Sequence, residues 1–261
     1  DGGNGGNGGN VTLVASQGVD IDDIITEGGI AGQGGDGGGR NTNITTTNAD
    51  GVIIESPGGD GGGGGTGGNG GDINVTASSN ILINNINADS GASNPNQGDR
   101  GSSVSVGGLD GAVFTTEGGL AGRSGLSGSL TGDVEIRSDD NVTVGCISAS
   151  AGEVDFDSEN VLSYSSNSTG GTIDLSADGT VTVNGDITAS AVVANNDSEA
   201  PGGSATGGSL IIRAGENIQA QNLNVSAFNY SNDINPAIEV ASFGGTVDLI
   251  ADGSVELNDI N

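Results

Sequence analysis

Two pairs of acids lie close enough in the chain to suggest hydrolytic chemistry, Asp139 with Asp140 and Asp155 with Asp157. A glycosidase holds two carboxyl groups about 5 to 10 Å apart, one to donate a proton and the other to activate water or attack carbon. Nothing else around these pairs breaks the surrounding alternation of apolar and polar residues, so both read as solvated acids of turns and strand faces. A lyase would need a basic proton abstractor. The basic residues are Arg40, Arg100, Arg123, Arg137 and Arg213, scattered over different positions of the pattern. Nucleophilic triads are excluded because the chain has neither His nor Lys. Cys146, the single Cys, has no such neighbour to activate its thiol and reads as a small strand residue. No catalytic or cofactor-binding residue is assigned, and the chain is not expected to be an enzyme.

Metal binding is the other chemistry to consider. Gly67, Gly68, Gly70 and Asp72 of "GGNGGDINV" match most of the calcium-binding nonapeptide, but Asn74 occupies the position that should be apolar and no second copy follows. No metal ligand is assigned on that ground. Loosely bound Ca²⁺ on an acidic, carbonyl-rich surface is the only ion expected. Sequons at Asn10, Asn43, Asn74, Asn141, Asn167, Asn196 and Asn224 are what Asn- and Thr-rich repeats generate by themselves.

The elements that carry these residues are written in the repeats. "GGTIDLSADGTVTVNGDITASA" (170–191) alternates apolar and polar side chains, turns, and alternates again, and "GGTVDLIADGSVELNDI" (244–260) nearly repeats it. Related units open at Gly9, Gly71, Gly132 and Gly208. The step from Ala15 to Val19 recurs from Ala77 to Ile81, Ala177 to Val181, Ala214 to Ile218 and Ala251 to Val255, with Ser138 to Val142 as a Ser-bearing copy. Period-two alternation places Ile173, Leu175 and Ala177 on one strand face and Asp174 and Ser176 on the other. Short bends such as "DGT" and "SSN" supply residues that turn tightly. A unit this short cannot bury its apolar face alone, so successive units must stack, in register and parallel.

Weaker units at 41–56, 101–117 and 152–166 bring the expected count to nine, opening near 9, 39, 71, 101, 132, 152, 171, 208 and 245. The fold expected is all-β, a parallel β-solenoid of about nine coils with Gly-rich loops gathered along one corner. Residues 1–261 read as a single solenoid segment, one part of a longer chain. Four Phe and two Tyr, at 114, 156, 164, 228, 230 and 243, are too few to fill an ordinary globular core, so aliphatic stacks must do so. Neutral residues interleaved between stacked acids would limit repulsion from coil to coil. The Gly-Gly-x runs at 1–10 and 58–71 fit either an extended helix whose bare backbone packs on a like run, or a flexible loop.

These units resemble those of the filamentous-haemagglutinin-like exoproteins of two-partner secretion systems, particularly the Gly- and Asn-rich kind of cyanobacteria. The resemblance lies in the form GG-x-[VIL]-x-[LVI]-x-A-x-x-x-[VI]-x-[VL]-x-x-[IV] and extends over essentially the whole chain. It implies a right-handed parallel β-helix exported across an outer membrane and serving as a surface adhesin or fibre. The family's amino-terminal secretion domain is not evident, and "NPNQ" at 94–97 reads as a turn.

The formal charge of −29, from five Arg against 34 Asp plus Glu, opposes nucleic acid and anionic membrane as partners. No apolar run approaches the roughly 18 residues of a membrane-spanning helix, so no membrane insertion is expected. The function expected is a non-catalytic structural or adhesive shaft of a secreted or cell-surface fibre or sheath. Its expected partners are copies of itself or adjoining repeats end to end, with surface polysaccharide as a further partner. The alternative is a carbohydrate-binding or carbohydrate-cleaving β-helix, which an aromatic ladder or a clustered acid pair on one exposed sheet would support.

Overall fold

The computed structural model describes residues 3–28, 32, 65, 68–90, 105–107, 113–115, 131–151, 167–195, 203–231 and 241–261. Over these residues the chain is all-β, with no helix and none, therefore, long and apolar enough to cross a membrane.

Each strong repeat forms one rung: a strand, a three-residue bend and a second strand. The first strands, Val11–Ala15, Ile73–Ala77, Val134–Ser138, Thr172–Ala177, Ser209–Ala214 and Thr246–Ala251, make one six-stranded parallel sheet. The second strands make another, in which Val19–Ile25, Ile81–Asn87, Val142–Ser148, Ile218–Asn224 and Val255–Ile260 are continuous. In the fourth rung this strand is split into Val181–Val183 and Ile187–Thr188.

Register puts like on like. Leu13, Val75, Ile136, Leu175, Ile212 and Leu249 form one column, and Ala15, Ala77, Ser138, Ala177, Ala214 and Ala251 another. Ser138 fits an Ala column because its Oγ donates to the carbonyl of Ser79 at 2.8 Å. The inward faces of both sheets enter one core of Ile, Val, Leu and Ala, while Phe228 and Phe243 stay exposed. Ile173 and Leu175 are wholly buried and Asp174 and Ser176 are not, as the alternation requires. Rungs one and six each have a neighbour on one side alone, and their inward residues are less buried than those of the middle rungs.

Glycine joins one rung to the next. The N–H groups of Gly71, Gly132, Gly171, Gly208 and Gly245 donate to the carbonyls of Thr26, Ala88, Ala149, Ala189 and Val225, the residues that close the preceding rungs, at 2.7 to 3.0 Å. A Cβ on Gly132, Gly208 or Gly245 would overlap the carbonyl oxygen of the equivalent glycine one rung earlier. Only hydrogen leaves room for rungs to sit at ladder spacing here.

Nine rungs are not found. Ile73–Ala77 bonds directly to Val11–Ala15, Val134–Ser138 directly to Ile73–Ala77, and Thr172–Ala177 directly to Val134–Ser138. A strand has one neighbour per edge, so none of the units at 41–56, 101–117 and 152–166 supplies a rung between these strands. Two of these units lie outside the described residues. Of 101–117, Ser105–Gly107 and Val113–Thr115 pair antiparallel with each other and not with the rungs. Every insertion falls between the second strand of one rung and the first strand of the next, so the insertions share one position of the rung.

Two small sheets flank the later rungs. Ala191–Asn195 pairs with Ala227–Ser231, and Ala205–Thr206 pairs with both Ser168–Thr169 and Ser242–Phe243. Ala191, Val193, Ala205 and Ala227 pack between them as a separate small core. The described parts of the Gly-rich runs exchange backbone bonds: Gly32 N–H donates to Gly3 O at 2.7 Å, Gly65 to Gly32 at 2.9 Å, and Gly8 to Asn69 at 2.8 Å. Most of run 58–71 lies outside the described residues.

Candidate functional site

The outward residues of the rungs are where any site must lie, and several of the polar ones are engaged with the next rung. Because strands stack in register, the side chain at a given position meets its counterpart one rung away, and four of the pairs found are carboxylate with amide. Asn84 Nδ2 donates to Asp22 at 3.1 Å and Asn85 Nδ2 to Asp23 at 2.8 Å. Asn222 Nδ2 donates to Asp186 at 2.8 Å, and Asn74 Nδ2 to Glu135 at 3.1 Å. An amide supplies a donor where a second carboxylate would repel. Such cross-strand pairs are each worth roughly 0.2–1 kcal/mol.

At the corners the acceptor is a side-chain oxygen and the donor is backbone. Asn10 Oδ1 accepts from Asp72 N–H at 3.0 Å, Asp72 Oδ1 from Asp133 N–H at 3.1 Å, and Asp133 Oδ1 from Thr172 N–H at 2.8 Å. At the other corner Asn141 Oδ1 accepts from Thr180 and Asn217 Oδ1 from Ser254. Asp72, the acid of the nonapeptide-like run, is thus a corner acceptor, and Gly71 beside it closes a rung. Of the sequon residues, Asn10, Asn74 and Asn141 use their side chains in these ladders, and Asn224 caps its own bend by accepting from Ser226.

One acid pair does meet on an exposed sheet, and it is not a pair singled out from sequence spacing. Glu135 and Asp174 are register partners on adjacent rungs, because the unit at 152–166 does not separate them. Neutral interleaving fails here, and arginine replaces it. Arg213 Nη1 donates to both oxygens of Asp174, at 3.0 and 3.2 Å, and Arg137 Nε pairs with Glu135. Guanidinium groups thus engage both carboxylates, and the Asn74 amide also engages Glu135. Asp140 accepts from Asn141 Nδ2 at 2.8 Å in the bend after Ser138, and Asp155 and Asp157 lie outside the described residues, as do Arg40, Arg100 and Arg123.

No protein-family model, no curated protein and no solved structure matches this chain. The chemistry must therefore be argued from the residues themselves. Among the described residues no group of three or more His, Cys, Asp and Glu could hold a metal ion. Cys146 is exposed beside Asn85 in the register, and its Sγ occupies the space that a side chain at Gly185 would need. Phe228 and Phe243 belong to different small sheets, so they build no common ladder.

A groove lies beside the Asp186–Asn222 pair. On the outer face of rungs four to six, Thr182, Gln219 and Glu256 line one side and Asn184, Gln221 and Asn258 the other, around a volume of about 230 Å³. Sequence reading passed over it because the amides look like those of every other rung.

The acid–amide register makes a direct prediction. Asn85→Asp would set a carboxylate against Asp23, a repulsion of about 1 kcal/mol in water. Thermal melts should show the variant less stable than the parent at about 0.01 M salt and nearly equal to it at about 1 M, where screening is short-ranged. A salt-independent loss would mean that the amide acts through packing and not through charge.

Proposed function

We propose that the chain is a segment of a right-handed parallel β-helix, of the filamentous-haemagglutinin-like kind, serving as a non-catalytic shaft in a secreted or cell-surface fibre or sheath. The handedness follows from the strong preference of parallel β-crossovers. One observation carries the reading: six rungs keep register through both sheets while their outward polar groups bond to the neighbouring rung. Such a surface serves length and cohesion, and it leaves few groups free for chemistry. The pairing of Glu135 and Asp174 with arginine favours the non-catalytic half of the proposal. Adjoining repeats or further copies would extend the stack end to end.

Electron microscopy and fibre diffraction of native material test this. Extended filaments with a reflection near 4.8 Å along their axis are expected, the spacing of parallel strands stacked along the fibre. Compact isolated particles without that axial repeat would overturn the proposal.

A further inference from the structure

One strand is interrupted beside the groove on rungs four to six. The second strand of rung four stops at Val183 and resumes at Ile187, so Val183 has no ladder partner on rung five, although Val181 and Thr182 do. Gly185 lies within the break, where the sulfur of Cys146 fills its side-chain space. Thr182, Gln219 and Glu256 remain in one register column and form one wall. The floor is main chain, for the side chains of Val183 and Ala220 turn into the core.

On this sheet Asp22 with Asn84, Asp23 with Asn85 and Asp186 with Asn222 engage each other across rungs, and the groove walls do not share in these pairs. Here a single long contact links Asn258 Nδ2 to Gln221 Oε1, at 3.4 Å. Asn184, Gln219 and Glu256 make no side-chain hydrogen bond to another described residue. Primary amides offer donors and acceptors together, and the groove contains no guanidinium. A single carboxylate disfavours an anionic ligand and is too little for a bound cation, which takes several oxygens. Ligand hydroxyls, each a donor and an acceptor, match this set, and the groove follows the stacking direction over three rungs, roughly 10 Å.

We propose that this groove binds a neutral polysaccharide chain laid along the stack, its hydroxyls held by Asn184, Gln219 and Gln221, with Glu256 accepting at one end. The site is independent of the shaft reading and would stand if that reading failed.

Affinity electrophoresis of the full chain through native gels containing hydroxyethylcellulose, galactomannan or dextran tests it, with polygalacturonate as an anionic comparison. Retardation by at least one neutral polymer is expected. Asn184→Ala, Gln219→Ala and Gln221→Ala together should weaken it about tenfold or more, the loss of two or three hydrogen bonds. Ser176→Ala, on the other sheet, should change nothing. If the triple variant loses its circular dichroism, Gln219→Leu alone serves, with retention still expected to fall. The proposal is overturned by absence of retardation in all three neutral gels, or by full retention in the groove variants. Equal retardation by polygalacturonate also overturns it, as does displacement by a synthetic peptide of residues 58–71, which would make the groove a seat for glycine-rich chain.

Discussion

Leu175→Asp is expected to unfold the fourth rung and loosen both neighbours, whereas Asp174→Asn one residue earlier should be nearly silent. Leu175 is wholly buried in the main core, between Ile136 and Ile212. A carboxylate there has no partner, and an uncompensated buried charge costs roughly 3–5 kcal/mol, a large share of a typical domain's stability. Asp174 faces outward. Its loss removes an ion pair with a half-exposed Arg213, worth about 1 kcal/mol or less. Relief of repulsion on Glu135 offsets part of that. Urea midpoints and hydrogen exchange over 134–148, 172–188 and 209–224 provide the measurement. Equal destabilisation by the two substitutions would show that the facing described for this strand is wrong.

Gly208→Ala should be nearly as damaging, through geometry alone. The added methyl would overlap the carbonyl of Gly171 and lie 2.8 Å from the Cβ of Ala189, at the point where Gly208 N–H bonds to Ala189. Backbone lines both sides, so relief requires two rungs to move apart and several ladder bonds to lengthen. A loss of a few kcal/mol is expected, comparable with severe core substitutions. Gly244→Ala is the control: no atom lies within 4 Å of its Cβ position, and loss of chain entropy in the unfolded state should leave it neutral or slightly stabilising. Similar melting temperatures for the two variants would remove the rung-closing role assigned to the glycine column.

The strands themselves were legible in the sequence. Alternation assigned Ile173, Leu175 and Ala177 inward, and the fixed step from Ala177 to Val181 placed the bend and the second strand. Stacking of Val, Ile, Leu and Ala on their own kind followed from that. What alternation could not decide was membership in the stack. "VSV" at 104–106 looks like any rung strand, yet the described part of that unit bonds to its own neighbour in antiparallel fashion. Pairing between segments tens of residues apart is a tertiary choice, and a local pattern does not encode it. The same gap hid the meeting of Glu135 with Asp174. Reading an extra rung between them put the two acids out of each other's reach. The groove escaped notice for a related reason: Asn184 resembles the paired amides in type, but its counterpart on rung three is Gly145, which has no side chain to pair with it.

Directly bonded rungs are separated by 62 residues near one end of the stack and by 37 near the other, as the links from Asn10 to Asp72 and from Asn217 to Ser254 record. Closing the longer connection is less than one doubling harder than closing the shorter, under about 0.6 kcal/mol of chain entropy. The framework is therefore almost indifferent to what is spliced between its rungs, provided that each insertion enters and leaves at the same corner. Mutation can lengthen, replace or decorate those stretches without renegotiating the stack. Novelty in such a lineage would accumulate at one edge, while the faces built on register change slowly.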